Sequence, residues 1–160
     1  MTELLYNRAA AIAYARRWAL GRNPAYYDFT AIGGDCTNFV SQCIFAGARV
    51  MNYTPTFGWF YISVDNRAPA WTGVEYLYNF LTTNDSVGPY GAEVPSSRVR
   101  PGDVVQLGTA DGDFYHSPFI VAVRPEILVC AHDDDALFRP LRTYYAPRLR
   151  FIHIEGVRDW

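Results

Sequence analysis

Apolar side chains recur every three or four residues in the first half of the chain, and this spacing predicts helices. One helix is predicted over residues 3–20, where tyrosines and alanines share a face and arginines take the other. The Asn23-Pro24 pair follows it as a stop signal. A second helix is predicted over residues 36–47, with Gly47 in the left-handed position that follows many helices.

A capping box predicts where a third helix begins. Thr72 is followed three residues later by Glu75, a pattern in which both side chains satisfy free N–H groups of the first turn. Leu77 would then face inward. Residues 51–71 show no clear period, and glycine and proline mark residues 84–97 as a loop.

The second half of the chain changes to the apolar and alternating segments that are typical of strands. Strands are predicted over residues 104–107, 115–123, 127–132 and 149–155. Asp111-Gly112 marks a hairpin between the first two, and a turn near Pro125 joins the next pair. Helices followed by an antiparallel meander indicate an α+β fold. No linker or repeat is visible, which predicts one domain over residues 1–160.

Composition and charge exclude several functional classes. The 160 residues are 50% hydrophobic and 16% aromatic, which is typical of a globular domain rather than a disordered chain. The net charge is -2 and lysine is absent, so nucleic-acid binding has little electrostatic support. No secretory signal or membrane-spanning stretch is visible. We therefore expect a cytoplasmic protein or a domain excised from an exported one.

One of the three cysteines is placed for chemistry. Cys36 follows the flexible Gly33-Gly34 pair and the helix-capping residue Asp35, which puts its sulfur in the first turn of the second helix. Free N–H groups there carry partial positive charge, so we expect a lowered thiol pKa and a nucleophilic thiolate. Cys43 and Cys130 lie among apolar residues and are predicted to pack in the core.

A cysteine nucleophile needs a base, and that base needs an orienting partner. His116 opens a predicted strand, and His132 closes the next one at a similar distance from the turn, so the two rings are predicted to touch. His116 would be the base and His132 would fix its tautomer, although Asp133 could orient a histidine instead. His153 is interpreted as structural. Taken singly, His116 would be interpreted as a polar residue at a strand end and His132 as a turn residue beside Asp133.

The remaining candidate residues concern the surroundings of the cysteine. Asp35 is predicted to accept a hydrogen bond from the N–H of Thr37 or Asn38, and the Cys36 N–H could hold an oxyanion. Asp35, Tyr27, Trp59 and Trp71 are the candidates for contacting the substrate, although both tryptophans could equally fill the core. No metal-ligand spacing occurs, and no cofactor is expected.

Several motifs, in order along nearly the whole chain, resemble a known family. The most specific is Gly34-Asp35-Cys36-Thr37-Asn38-Phe39-Val40-Ser41-Gln42; weaker matches are Tyr6-Asn7-Arg8, Arg22-Asn23-Pro24, His116-Ser117 and Ala131-His132. The chain resembles the bacterial putative amidase domains of the papain-like cysteine hydrolase superfamily, which are related to NlpC-type and CHAP cell-wall hydrolases. Pro118 departs from the pattern, since proline cannot donate to a sheet and fits only an edge or a bulge.

The resemblance implies a papain-like, NlpC-type fold in which the cysteine helix packs on an antiparallel sheet, with a strand histidine as base. By analogy with NlpC-type peptidases, the third polar residue lies on the next strand, which points to His132. The implied activity is hydrolysis of an amide or peptide bond, commonly in peptidoglycan. Two alternatives stay open: acyl transfer from the same thioester, and an inert module that binds a peptide or glycan.

Overall fold

The computed structural model describes all residues, 1–160. The helices are α1 (Arg8–Trp18), α2 (Cys36–Ala48), α3 (Pro69–Thr72) and α4 (Val74–Thr83). The strands are β1 (Thr2–Leu4), β2 (Tyr61–Ser63), β3 (Asn66–Arg67), β4 (Gly88–Val94), β5 (Val104–Gly108), β6 (Phe114–His116), β7 (Phe119–Ala122), β8 (Leu128–Ala131), β9 (Ala136–Pro140) and β10 (Arg148–Asp159). None of the helices has the length and apolar character needed to cross a membrane.

Eight strands form one antiparallel sheet in the order β1-β10-β5-β7-β8-β9, with β4 also paired to β10 and β6 also paired to β5. The small β2–β3 hairpin is separate. β10 is the longest strand, with 12 residues, and it connects three others. The predicted α+β class with a large antiparallel sheet is confirmed.

The sheet separates two apolar clusters because successive side chains on a strand point to opposite faces. The cross-strand partners Phe119 and Cys130 pack against α2 in the larger cluster, which holds 22 buried residues. Their neighbours Ile120 and Val129 are also partners and belong to a smaller cluster of seven buried residues on the other face. The larger cluster therefore fixes where α2 lies on the sheet.

The first predicted helix is shorter than expected. Residues 2–4 form β1, which pairs with the end of β10, and α1 begins only at Arg8. Asn7 caps α1 by accepting a hydrogen bond from the Ala10 N–H at 3.0 Å. Such a cap fixes a helix start that periodicity alone places too early.

Gly47 has a packing role and does not end α2. The helix continues to Ala48 and ends at Arg49, which itself adopts the left-handed conformation with φ of 63°. A Cβ on Gly47 would lie 2.6 Å from the Asn7 carbonyl oxygen and 2.7 Å from the Tyr6 ring. The glycine therefore allows the segment before α1 to pass directly over α2.

The predicted capping box does not form. Gly73 is the N-cap of α4, and the Thr72 hydroxyl accepts a hydrogen bond from Arg67 Nε at 3.1 Å. Thr72 instead ends the short helix α3, which the aperiodic segment did not reveal.

Two strand predictions also change. Residues 88–94, predicted as loop, form β4 and pair with seven residues of β10, because strand pairing overrides the turn tendency of their glycines and proline. The predicted strand over 115–123 is divided into β6 and β7 at Ser117-Pro118. The break follows from the missing N–H of Pro118, and it leaves Ser117 free to contact α2.

Candidate active site

Cys36 is the first residue of α2, and it is the only cysteine with any exposed surface. It is 7% exposed, whereas Cys43 and Cys130 are completely buried. All three thiols are free. Cys36 is therefore the most exposed of the three cysteines, and Cys43 and Cys130 lie in the core as their flanking residues predict.

The break between β6 and β7 places His116 and Ser117 beside the first turn of α2. The Ser117 hydroxyl accepts a hydrogen bond from the Thr37 hydroxyl at 3.2 Å. The Thr37 oxygen is in turn 3.7 Å from the Cys36 sulfur. The strand end that carries His116 thus contacts the turn that carries the cysteine.

Burial raises the pKa of the Cys36 thiol above its ordinary value. Hydrogen bonds from Ser117 and Thr37 act in the opposite direction, and the negative charge of Asp133 adds to the increase. The lowered pKa predicted for Cys36 is therefore wrong for the resting structure. Burial of the sulfur raises its pKa by more than the nearby hydrogen-bond donors lower it.

His116 is 9% exposed, and burial lowers its pKa below the ordinary value. Asp133 and Asp134 raise this pKa while Arg139 lowers it further, so the three charges lie near the ring. The Tyr144 ring centroid is 5.9 Å from that of His116. A neutral imidazole and a neutral thiol are the favoured forms of the resting site at neutral pH.

Asp133 links the end of β8 to the cysteine turn. Both of its carboxylate oxygens accept from the Asp35 N–H, each at 2.9 Å. Gly34 allows this approach, since a Cβ there would lie 2.5 Å from Asp133 Oδ2. Asp133 thereby fixes the backbone directly before Cys36 and brings a negative charge close to His116.

The structure does not bring His132 onto His116. His132 Nδ1 donates to Asp35 Oδ2 at 2.5 Å, and its Nε2 lies 2.8 Å from the Trp18 carbonyl oxygen. Its ring stacks on Phe39 with centroids 4.1 Å apart. Both residues lie in the turn after β8, where Asp133 has a left-handed φ of 55°. His132 faces the helices, and the charge of Asp133 lies near His116.

Asp35 is the N-cap of α2 by position, but its side chain does not cap the helix. Its Oδ1 accepts from the Phe29 N–H at 2.8 Å and from Asn38 Nδ2 at 2.9 Å, and its Oδ2 accepts from His132. Arg22 Nε lies 3.5 Å from the same Oδ2. With both oxygens engaged and 1% exposure, Asp35 positions the cysteine turn and has no free oxygen for a substrate.

The two candidate tryptophans lie in the core. Trp59 and Trp71 are both 0% exposed, with ring centroids 4.8 Å apart, so the structure corrects the suggestion that they line a cleft. The Trp71 indole N–H donates to Asn38 Oδ1 at 3.0 Å and so holds the first turn of α2 against the core. Tyr27 is 41% exposed, and its carbonyl oxygen accepts from Asn38 Nδ2. Its contact with a substrate stays a prediction.

The first turn of α2 offers free hydrogen-bond donors. The first helix-type bond is donated by Phe39 to the Asp35 carbonyl, and the N–H groups of Cys36 and Asn38 have no acceptor in the structure. Helix N-termini stabilise anions through such groups. An oxyanion formed beside the sulfur could therefore be held there. No group of three or more His, Cys, Asp or Glu side chains is arranged to hold a metal ion.

Three polar residues of the site were missed by sequence reasoning: Thr37, Gln106 and Ser117. All three are buried, and Gln106 Nε2 donates to Ser117 Oγ at 3.1 Å. One signal was available, since Gln106 interrupts an otherwise apolar strand and a buried amide requires partners.

The sequence is also similar to that of known proteins. The sequence profile of a family described as "Putative amidase domain" matches residues 5–154. The chain belongs to this family. It is also 34% identical over 164 aligned positions to "Uncharacterized protein YhbB" of Bacillus subtilis (strain 168), an alignment that covers 96% of this chain and 51% of the relative. The chain thus spans about half the length of that relative. No solved structure matches it.

Proposed function

We propose that the protein is a cysteine-dependent amidohydrolase that cleaves an amide or peptide bond through a thioester on Cys36. The observation that carries this is the hydrogen bond from the Thr37 hydroxyl to Ser117 Oγ at 3.2 Å. It places the residue after His116 against the turn that holds Cys36 in an amidase-family chain. A nucleophile, a titratable base and free oxyanion donors then meet at one helix terminus.

His116 is the general base and then the general acid. It takes the thiol proton as the Cys36 sulfur forms a bond to the carbonyl carbon, and the carbonyl electron pair moves to oxygen. When that pair returns, the C–N bond breaks and His116 gives its proton to the departing amine. Water then attacks the thioester carbon as His116 takes its proton. The C–S bond breaks when the carbonyl forms again, the acid leaves, and His116 returns the proton to the Cys36 sulfur. The Cys36 N–H holds the oxyanion in both tetrahedral steps.

Asp133 is our candidate for the residue that stabilises the protonated His116. It lies in the turn that follows β8, the strand next to β7, and its negative charge raises the pKa of His116. His132 is occupied by Asp35 and the Trp18 carbonyl oxygen. His132 therefore supports the Cys36 turn through Asp35.

Peptidoglycan stem peptides are the first substrate class to test, because related hydrolases suggest them. Purified protein is incubated with muropeptides from digested cell walls, and new amine and carboxylate termini are identified by mass spectrometry. We expect cleavage by the wild type and by Cys43→Ala, a buried-cysteine control, and a loss of at least about a hundredfold for Cys36→Ala and His116→Ala. Full activity in Cys36→Ala would overturn the proposal.

The two alternatives appear as different outcomes of the same experiment. An inert binding module would retain muropeptides on both wild type and Cys36→Ala without cleaving them. An acyltransferase would join the acyl fragment to an added amine, such as glycine amide, in preference to water. Asp133→Asn and His132→Asn then test the third residue, and we expect the larger loss of turnover in Asp133→Asn.

A further inference from the structure

A chain of buried polar side chains runs from β10 to the candidate nucleophile. Arg150 on β10 and Gln106 on β5 are cross-strand partners in the sheet register. Arg150 Nε donates to Gln106 Oε1 at 2.8 Å, and Gln106 Nε2 lies 3.1 Å from Ser117 Oγ. Ser117 Oγ is 3.2 Å from Thr37 Oγ1, which is 3.7 Å from the Cys36 sulfur.

The first member of this chain is held rigidly. The Arg150 guanidinium is stacked between the rings of Tyr78 and Phe114, with its central carbon 3.7 Å and 3.9 Å from the two centroids. Its Nη2 also donates to Glu75 Oε2 at 2.8 Å. Arginine stays protonated and only donates hydrogen bonds. The direction of the first bond is therefore fixed toward Gln106.

The orientation of the Gln106 amide, the second member of the chain, is also fixed. Gln106 is fully buried, its Oε1 faces Arg150, and its Nε2 donates both to the Val74 carbonyl oxygen at 2.9 Å and to Ser117. A flipped amide would set its NH₂ against the guanidinium and its oxygen against a carbonyl, leaving two buried groups unpaired. Gln106 therefore donates to the Ser117 hydroxyl.

The two hydroxyls complete the sequence. In the resting structure the Thr37 hydroxyl donates to Ser117 Oγ, and hydroxyl hydrogens rotate to suit their acceptors. Once the sulfur is negative, Thr37 turns its hydrogen toward it, and Ser117, which accepts from Gln106, donates to Thr37. Bonds that all run in one direction polarise one another, most strongly in a buried, low-dielectric site.

We propose that Gln106 and Ser117 are positioning residues of a one-way chain of hydrogen-bond donors from Arg150 to Cys36, with Thr37 as the hydroxyl that contacts the sulfur. The chain stabilises the negative sulfur that forms when His116 removes the thiol proton. This inference rests on the proposed function, since it assigns a role to Cys36 as nucleophile, but its test needs no substrate.

The first test compares Thr37→Val with Thr37→Ser. Alkylation of Cys36 by iodoacetamide is followed by mass spectrometry between about pH 6 and pH 10, a range that includes the ordinary thiol midpoint. Loss of one hydrogen bond to an anion predicts about tenfold slower alkylation for Thr37→Val below that midpoint. Thr37→Ser keeps the hydroxyl and is expected within about twofold of wild type. Equal rates in wild type and Thr37→Val would overturn the proposal.

The second test asks whether Gln106 acts through Thr37. In Gln106→Glu the new carboxylate accepts from Arg150 but cannot donate to Ser117, so the two hydroxyl bonds reverse and the sulfur loses its donor. We expect about tenfold slower alkylation in the wild-type background and less than about twofold in the Thr37→Val background. The added charge acts in both backgrounds, so equal slowing in both would overturn the chain.

Two checks keep the results separable. Each variant is melted by circular dichroism, and Gln106→Met, which removes the amide without adding charge, replaces Gln106→Glu in the cycle if the latter does not fold. Loss of muropeptide cleavage in Cys36→Ala together with unchanged alkylation in Thr37→Val would support the hydrolase and refute the hydrogen-bond chain.

Slower alkylation in Thr37→Val together with full cleavage in Cys36→Ala would support the hydrogen-bond chain and refute the hydrolase.

Discussion

Asp35 and His132 form a buried pair in which Asp35 Oδ2 lies 2.5 Å from His132 Nδ1, with side chains 1% and 2% exposed. The pair joins the residue before the candidate nucleophile to the end of β8. It therefore connects the two parts of the chain that the site brings together.

Removal of the Asp35 carboxylate should destabilise the fold strongly. In Asp35→Ala, His132 Nδ1, the Phe29 N–H and Asn38 Nδ2 all lose an acceptor. Breaking a buried pair on one side costs about 3–5 kcal/mol. Urea denaturation measures the loss. The control is Asp134→Asn, at a carboxylate whose side chain is 92% exposed, which should change the unfolding free energy by less than about 0.5 kcal/mol. Similar values for both variants would contradict the role of the pair.

The stability of the fold should decrease in mild acid because of His116. Burial lowers the pKa of His116 in the folded state below the 6.5 of an exposed histidine. Between those two pKa values the unfolded chain binds more protons than the folded one, so stability is lost as pH falls through this window. Thermal melts at a series of pH values test this. His116→Gln should show a flatter profile below about pH 6.5, and an identical profile would refute the effect.

Ser41 should be important for the packing of the tryptophan pair. Its hydroxyl donates to the Trp71 carbonyl oxygen at 2.9 Å and accepts from Trp59 Nε1 at 3.0 Å, and all three residues are fully buried. Ser41→Ala leaves both groups unpaired, which costs about 1–3 kcal/mol. Denaturant unfolding followed by tryptophan fluorescence is the measurement. The exposed Ser97→Ala is the control, and a loss no larger than in that control would argue against the bridge.

Gly34 should be more sensitive to substitution than Gly33. Both glycines have positive φ, 101° and 79°, so alanine strains the backbone at each. Only Gly34 has a close neighbour, since its Cβ would meet Asp133 Oδ2, whereas Gly33 has nothing within 4 Å. Gly34→Ala should therefore displace Asp133 from the Asp35 N–H and reduce muropeptide cleavage well beyond Gly33→Ala. Equal cleavage rates in the two variants would show that the Asp133 contact is not needed.

Local signals in the sequence were enough for the general outline. The 3.6-residue period predicted α2 and α4, continuous apolar runs predicted β5 and β8, and alternation predicted β10. Glycine and the N-cap position placed Cys36 at the start of α2. These features depend on residues close together in the sequence, so they can be predicted from the sequence alone.

The tertiary structure decided everything that depends on distant residues. β4 exists because β10 pairs with it, and Trp59 is buried because α2 covers it. His132 was predicted to touch His116, but it lies in the turn after β8, where Asp35 and Phe39 hold its ring on the side of the helices. The charge that lies near His116 comes from Asp133. The order of donors from Arg150 to Cys36 spans four segments of the chain. Hydrogen-bond partners are chosen by three-dimensional proximity and by the need to pair every buried polar group, and no local pattern in a sequence records that choice.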